Sequence, residues 1–419
     1  MGAPRNGFRG AQEIPLMRSA IVARLQSARM PLIAVCAVVL TLPAIAARRD
    51  PPSDPIPSIR IPAPVMPSPN AFETYQIAVA AVTDRGYESQ ANATAPIETR
   101  QAIIAANTRA LKLVALANAE EFEAPPVRSF STSNAAVFTS FLTLARLLAF
   151  KSVLESDRAQ WDTAAETALE AIMMGARVQH DGVLIQRLAG MNIAALGRAA
   201  LARAVTHMTA DEARHAARAL RAAERITPNY ADAVAQEGYL CMSALYQMME
   251  SEIEWRETKR VCYAGAPAPS NEEIMEECVQ YFDHAIDEAG RPYRAAKRFY
   301  PPEKGILADI VVFDTRFAFV YDRIQNDLLI GRLALQYYHA EHGAYPDTLA
   351  PALSETGKIG RLDDLFAASG TLRYVRTANG YRLYSVGPDG KDDGGTAIVT
   401  GSQAPVGETS AGDIVVGVD

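Results

Sequence analysis

The sequence predicts a mainly α-helical protein, in which an irregular antiparallel array of helices precedes a small α+β domain. Between about residues 70 and 296, apolar residues recur at three- and four-residue spacing, which is typical of amphipathic helices. Beyond residue 370, two short segments alternate in polarity on either side of a turn sequence, which is typical of a β-hairpin. A chain of 419 residues is long enough to form two or three domains.

The composition is that of a folded globular protein. Apolar residues make up 49% of the chain and charged residues 21%, which argues against disorder. The net charge is only −7, so there is no electrostatic reason to expect a nucleic-acid partner. The four cysteines form no Cys-x-x-Cys pair, so neither a zinc ribbon nor a thioredoxin-like site is indicated. Whether Cys262 and Cys278 form a disulfide stays open, because separation in sequence does not fix distance.

The N-terminal region predicts an exported protein that stays attached to a membrane. Residues 1–30 contain five arginines and one acidic residue, and residues 31–47 are apolar without a single charge. A basic flank before an apolar run is typical of an export signal whose basic side remains in the cytoplasm. We interpret residues 31–47 as a transmembrane anchor. Ala44-Ile45-Ala46 also fits a signal-peptidase site, so secretion after cleavage is the alternative.

A proline-rich linker follows the apolar run. Residues 48–69 contain eight prolines, which prevent both a regular helix and a central strand. An extended spacer of ~3.1 Å per residue is expected where polyproline II holds. The predicted organisation is therefore a helical body over residues 70–300 and a C-terminal domain over residues 301–419. The expected location is a bacterial inner membrane, crossed once, with most of the chain in the periplasm.

The helical body is predicted as a series of antiparallel helices. The expected elements are a helix from Asn70 through Val82, then Ile97–Ala119, Phe138–Leu154, Ala159–Ala176, Val183–Val205, a helix from the capping box at Thr209 to before Pro228, Tyr230–Arg256 and Asn271–Gly290. Small residues around Gly190 would let two helices approach closely. Residues 138–176 weakly resemble one tetratricopeptide hairpin, but no 34-residue repeat recurs. Such an array leaves a groove for a protein partner.

Catalytic signatures do not occur in the sequence, so an enzyme is not expected. There is no HExxH, GxSxG, GxGxxG or GxxxxGK[ST] motif. The acidic segment around Asp283 and His284 could support a hydrolase, although a solvated acidic face is the commoner structure. His339 and His342 share a helical face, yet they close a helix before Gly343, where histidine complements the helix dipole.

The last quarter of the chain carries the most specific pattern. A helix from about Phe317 to His342 ends in Gly343-Ala344-Tyr345-Pro346, and a short helix follows at Leu349–Leu353. Two predicted strands, Thr371–Arg376 and Tyr381–Val386, flank the turn Ala378-Asn379-Gly380. A glycine-rich acidic loop begins Gly387-Pro388-Asp389-Gly390, and Gly412-Asp413-Ile414 stands near the end. In this order and spacing, residues 314–418 resemble the major pseudopilin of type II secretion systems.

That resemblance implies a long helix packed on a small antiparallel sheet, with calcium bound in the loop after the hairpin. Asp389 and the carbonyl oxygen of Val386 match ligand positions of the family, and Asp413 matches its terminal aspartate. The chemistry of the loop adds Asp392 and Asp393, because calcium binds six to eight oxygens from carboxylates and carbonyls. A solvated acidic turn is the alternative interpretation of the same residues.

One departure from the family limits what the resemblance implies. Pseudopilins have a glycine before a hydrophobic stretch that continues into the long helix, with a glutamate at the fifth position of the stretch, and no such site occurs here. The sequence therefore favours a membrane-anchored envelope scaffold or protein-interaction protein with a calcium-binding, pseudopilin-like C-terminal domain. An accessory component of a type II secretion or pilus-like machine, and a hydrolase using the acidic helix, are the alternatives.

Overall fold

The computed structural model describes residues 65–125, 132–180, 182–264, 266–310, 314–357, 359–399 and 406–418. The predicted cytoplasmic segment, the apolar run at 31–47 and most of the proline-rich linker therefore lie outside the described residues. The predictions made for those segments stay predictions.

The helical body begins directly after the linker. Its α-helices are α1 (Ala71–Ala80), α2 (Gln90–Ala93), α3 (Ile97–Ala106), α4 (Thr108–Ala117), α5 (Thr132–Asp157), α6 (Trp161–Gln179), α7 (Leu184–Ala204), α8 (Ala210–Ile226), α9 (Tyr230–Met249), α10 (Glu252–Cys262), α11 (Asn271–Ala289) and α12 (Ile306–Ile310). Two 3₁₀ turns, Gly86–Glu88 and Val205–His207, lie between helices. Capping boxes open α8 at Thr209 and α11 at Ser270, where each side chain accepts a hydrogen bond from the backbone three residues on.

The C-terminal part contains a long helix and a small sheet. Its helices are α13 (Arg316–His342) and α14 (Leu349–Glu355), and its strands are β1 (Arg373–Arg376), β2 (Tyr381–Ser385) and β3 (Ile414–Val418). The strands form one antiparallel sheet in the order β1-β2-β3. Helix α13 ends where Gly343 adopts a left-handed conformation with φ of 72°. The predicted fold class, mainly helical with a small α+β part, is confirmed.

Two predicted helices are each broken in the structure. The segment expected as Ile97–Ala119 divides at Asn107. The side-chain carboxamide of Asn107 is buried and forms hydrogen bonds with the backbone of a neighbouring loop. Its Oδ1 accepts from the amide of Thr83 at 3.0 Å, and its Nδ2 donates to the carbonyl oxygen of Asp84 at 2.6 Å. The segment expected as Tyr230–Arg256 ends at Met249, and α10 begins at Glu252. Both breaks depend on local geometry that the periodicity of apolar residues cannot predict.

Helices α6 and α7 pack closely through small residues. A Cβ atom built on Gly190 would lie 2.6 Å from the carbonyl oxygen of Gly175, and a Cβ on Gly175 would lie 2.5 Å from the amide nitrogen of Ala194. Only glycine permits such a backbone approach at these positions. This is the close contact that the small residues of α7 predict.

One hydrophobic core joins the helical body to the C-terminal part. Its buried side chains come from α6, α7, α8, α13, α14 and the sheet, and include Ile172, Leu201, Leu220, Leu333 and Leu383. Helix α13 lies at the centre of this core. The sheet approaches it so closely that a Cβ on Gly331 would lie 2.5 Å from Cδ2 of Leu383. The C-terminal part therefore folds against the body and shares its interior.

An ion-pair network reinforces the contact between α8 and α13. The carboxylate of Asp327 on α13 accepts from Nη1 of Arg221 at 3.1 Å and from Nε of Arg323 at 3.0 Å. Arg221 also donates to Glu224 at 2.6 Å and to the carbonyl oxygen of Ile359 at 3.2 Å. One guanidinium group thus ties α8, α13 and the loop before the sheet together.

A second buried carboxylate connects α9 with the start of α7. The amide of Leu184 donates to Oε2 of Glu237 at 3.1 Å, so Glu237 satisfies one of the unpaired amides that begin α7. Burial raises the pKa of Glu237 to about 7, and the Leu184 amide offsets part of that rise. The contact joins two helices that the sequence pattern treats separately.

Among the described residues, Ala136–Asp157 is the helix that is both long and apolar enough to cross a membrane. Within its most apolar window, 61% is buried inside the protein. Its residues Phe138, Phe141 and Leu144 share a core cluster with Phe72 and Tyr75 of α1. The apolar character of this helix is therefore accounted for by packing within the body.

Candidate functional site

The loop after β2 returns to the start of β3. Gly387 has φ of 69°, and a Cβ there would lie 2.2 Å from the carbonyl oxygen of Gly412. Farther along the loop, the amide of Ile398 donates to the carbonyl oxygen of Asp413 at 3.0 Å. The amide of Asp413 donates in turn to the carbonyl oxygen of Thr396 at 2.8 Å. This pairing brings the acidic residues of the loop next to Asp413.

Asp413 is the central carboxylate of the loop. Its Oδ2 accepts from the amide of Gly395 at 2.7 Å, and its Oδ1 accepts from the amide of Asp393 at 3.4 Å. The residue is 1% exposed, and burial is the main reason that the pKa of its carboxyl is raised. The charges of Asp392 and Asp393 add to that rise in the pKa.

Asp392 lies at the exposed side of the same loop. Its Oδ1 accepts from the amide of Gly394 at 3.0 Å and from the hydroxyl of Tyr384 at 3.1 Å, and its Oδ2 accepts from Nε of Arg373 at 3.3 Å. The hydrogen bond from Gly394 is the largest contribution that lowers the pKa of Asp392. The carboxylate already has donors from strand and loop.

The other two predicted ligands are engaged locally. Asp389 accepts from the amide of Lys391 at 3.1 Å, which makes a turn within its own segment. Val386 is buried, and its amide donates to Oδ2 of Asp364 at 2.9 Å. The structure therefore brings the loop backbone at Asp393 and Gly395 onto the Asp413 carboxylate, whereas Asp389 and Val386 make the local contacts just described.

The fit of this loop to calcium is partial. In residues 65–418, leaving aside the short gaps named above, no group of three or more histidine, cysteine, aspartate or glutamate side chains is placed to hold a metal ion. Calcium needs six to eight oxygens, so backbone carbonyls would have to supply most of its shell. The cluster of Asp392, Asp393 and Asp413 supplies negative charge, while amides of the loop already occupy the carboxylate of Asp413.

Two residues that the sequence analysis did not single out hold this region in place. Buried Asp364 accepts from the hydroxyl of Ser385 at 2.7 Å, from the amide of Val386 and from the amide of Phe366 at 3.2 Å. Arg294 donates to the carbonyl oxygens of Phe366 at 2.8 Å and Pro388 at 2.7 Å. Both lie outside the hairpin motif, and nothing in their local sequence distinguishes them from surface charges.

The other residues considered from the sequence lie elsewhere. Asp283 and His284 are exposed on α11. His342 bonds to Glu355 at 2.7 Å, whereas His339 stacks on the ring of Tyr345 with centroids 4.5 Å apart. The two imidazoles at the end of α13 thus have different neighbours.

Cys278 is buried, and Cys262 donates to Oδ2 of Asp309 at 3.6 Å. No bond joins their two sulfur atoms in the structure.

Comparison with known proteins adds no relative: no family model, no curated protein and no solved structure matches the chain.

Proposed function

We propose that this chain is a membrane-anchored envelope protein that presents a rigid helical framework, with a pseudopilin-like C-terminal part, to a protein partner. The observation that carries this proposal is the shared core around α13, in which side chains of α6, α7 and α8 meet those of the sheet. A continuous core resists hinge motion between its parts, which suits a scaffold that must hold a partner in a fixed position.

The same helix favours a scaffold over a filament subunit. The resemblance implies that a pseudopilin continues its long helix into a hydrophobic anchor. Here α13 begins at Arg316, some 270 residues after the apolar run. Its residues Ile324, Leu328 and Leu333 lie in the core with α8. Because the body covers this face of the helix, a pilus-like stack through it is not favoured.

The location proposed for the body can be tested by reporter fusions in a Gram-negative host. Alkaline phosphatase fused after Asp419 should be active, and a green fluorescent protein fused at the same position should be dark, because the first reporter folds only outside the cytoplasm and the second only inside it. The control chain lacks residues 1–47 and should reverse both signals. An active fluorescent fusion of the intact chain would refute an envelope location.

We propose calcium binding with fewer ligands than the sequence predicts: Asp392, Asp393 and Asp413 are the carboxylates that would hold the ion. The chain should have a higher melting temperature in millimolar calcium than in the presence of a calcium chelator. A ligand at ~100 times its Kd stabilises the folded state by about 2.7 kcal/mol. The variant Asp392→Asn should lose most of this shift, because it removes the negative charge of one of the three carboxylates. Asp392 is exposed, so the variant should remain folded.

The matched control is Asp347→Asn, which removes an exposed carboxylate paired with Arg376 elsewhere on the C-terminal part. It should keep the full calcium shift. If calcium leaves the melting temperature of the unaltered chain unchanged, the ion is excluded, and the hydrogen bonds of Asp413 suffice to order the loop. That result would leave the proposed location and scaffold role untouched.

A further inference from the structure

A cleft of about 280 Å³ lies where the helical body meets α13. Each of three helices lines it with one face: Ile172, Ala176 and Gln179 from α6, Met191, Ala194 and Arg198 from α7, and Phe319, Asp322 and Asn326 from α13. Residues spaced by three, four and seven positions share a helix face, and a seven-residue span rises ~10 Å. Leu365, from the loop before the sheet, also lines the cleft.

The wall of the cleft is largely apolar and adaptable. Ile172, Ala176 and Ala194 are small or branched, Phe319 supplies an aromatic surface, and Met191 supplies a flexible thioether. Arg198 donates to Asp322 across the cleft, from α7 to α13. The volume is close to the ~300 Å³ at which small-ligand pockets begin, and such pockets combine apolar walls with a few polar groups.

Two carboxamides in this cleft have hydrogen-bonding capacity that the protein does not use. Asn326 is 7% exposed and has no hydrogen-bond partner among the described residues. Gln179 is 3% exposed and donates to the carbonyl oxygen of Gly175 at 3.3 Å, while its own carbonyl oxygen accepts from no described residue. Neither residue is among those whose unpartnered polar atoms are sealed from solvent, so these atoms are accessible from the cleft and can bond to a ligand that enters it.

We infer that this cleft binds a small amide-bearing ligand with an apolar side group, of the size of one amino-acid residue with its two peptide bonds. A carboxamide has two N–H donors and one acceptor, so Asn326 can form a paired set of hydrogen bonds with an amide. The carbonyl oxygen of Gln179 can accept from a second N–H. The apolar group would lie against Met191, Ile172 and Phe319. The cleft belongs to the fold itself and does not depend on membrane anchoring.

Calorimetric titration of the full chain with N-acetyl-leucinamide tests this inference. A ligand of this size should bind with a Kd on the order of 1 mM. N-acetyl-leucine methyl ester has the same apolar group but lacks the terminal N–H donors, and should bind several-fold more weakly. In the variant Asn326→Leu, which keeps the branched shape of the side chain and removes its polar atoms, the amide probe should bind roughly tenfold more weakly, and the difference between the probes should shrink.

The control variant is Met191→Leu, which changes the apolar wall without removing a polar group and should keep the preference for the amide. The melting temperature of each variant shows whether it remains folded. The inference is wrong if neither probe binds at a probe concentration roughly tenfold above the expected Kd. It is also wrong if the ester binds as tightly as the amide. Equal binding of the amide to the Asn326→Leu variant would also overturn it.

Discussion

Gly190→Leu is expected to lower the free energy of unfolding by roughly 3 kcal/mol or more, the upper range for overpacking a close contact. A Cβ at Gly190 would lie 2.6 Å from both the carbonyl oxygen of Gly175 and Cγ of Gln179. The Gly175 oxygen belongs to the backbone of α6, so it can move only if the whole helix moves. Urea unfolding of the unaltered chain and the variant measures the loss.

Gly290→Ala is the matched control for Gly190→Leu. Gly290 caps α11 with φ of −75°. A Cβ added at Gly290 would lie 3.5 Å from its nearest neighbour, the carbonyl oxygen of Asp287. Alanine at such a position should leave stability unchanged or raise it by ~0.4–1 kcal/mol, because it restricts the unfolded chain. Equal destabilisation by both substitutions would show that the approach of α6 to α7 is not close.

Asp327→Ala is expected to cost roughly 3 kcal/mol, near the lower end of the range for breaking a buried ion pair. Asp327 is 2% exposed and bonds to the guanidinium groups of Arg221 and Arg323. Without the carboxylate, Glu224 is the one acidic partner left to the largely buried Arg221 among the described residues. The Arg323 side chain is 41% exposed, so water offsets part of the loss.

The comparison for Asp327→Ala is Asp211→Ala, which removes an exposed partner of Arg214 on the same helix α8. A surface pair of this kind contributes ~0–1 kcal/mol, so its removal should barely change the melting temperature. Thermal unfolding of the two variants under identical conditions separates a buried network from a surface contact. If Asp327→Ala unfolds at the temperature of the unaltered chain, the network does not stabilise the contact of α8 with α13.

Local signals in the sequence were sufficient for most helices and both hairpin strands. The capping box at Thr209 marks the first turn of α8 because its two hydrogen bonds form between residues three apart. Gly343 marks the end of α13 because glycine adopts the left-handed conformation at little cost. These features depend on neighbours in sequence, so the residues themselves predict them.

Contacts between distant segments could not be predicted in this way. Periodicity indicates which face of α13 is apolar, but it does not indicate that Leu333 packs with α8 as well as with the sheet. Asp364 and Asn326 resemble ordinary polar residues in sequence, and their burial follows only from the segments that surround them. The acidic loop was recognised from its own residues, whereas the contact of Asp413 with the amides of Asp393 and Gly395 depends on how the loop folds back.

The shared core around α13 is tested most directly by native-state hydrogen exchange on the Gly190→Leu variant. In a single cooperative core, the slowest amides of Tyr381–Ser385 should lose as much protection as those of Trp161–Gln179, although the substitution lies in α7. A loss confined to the helices near Gly190, with the sheet and α13 as protected as in the unaltered chain, would contradict a common core and the rigid scaffold proposed from it.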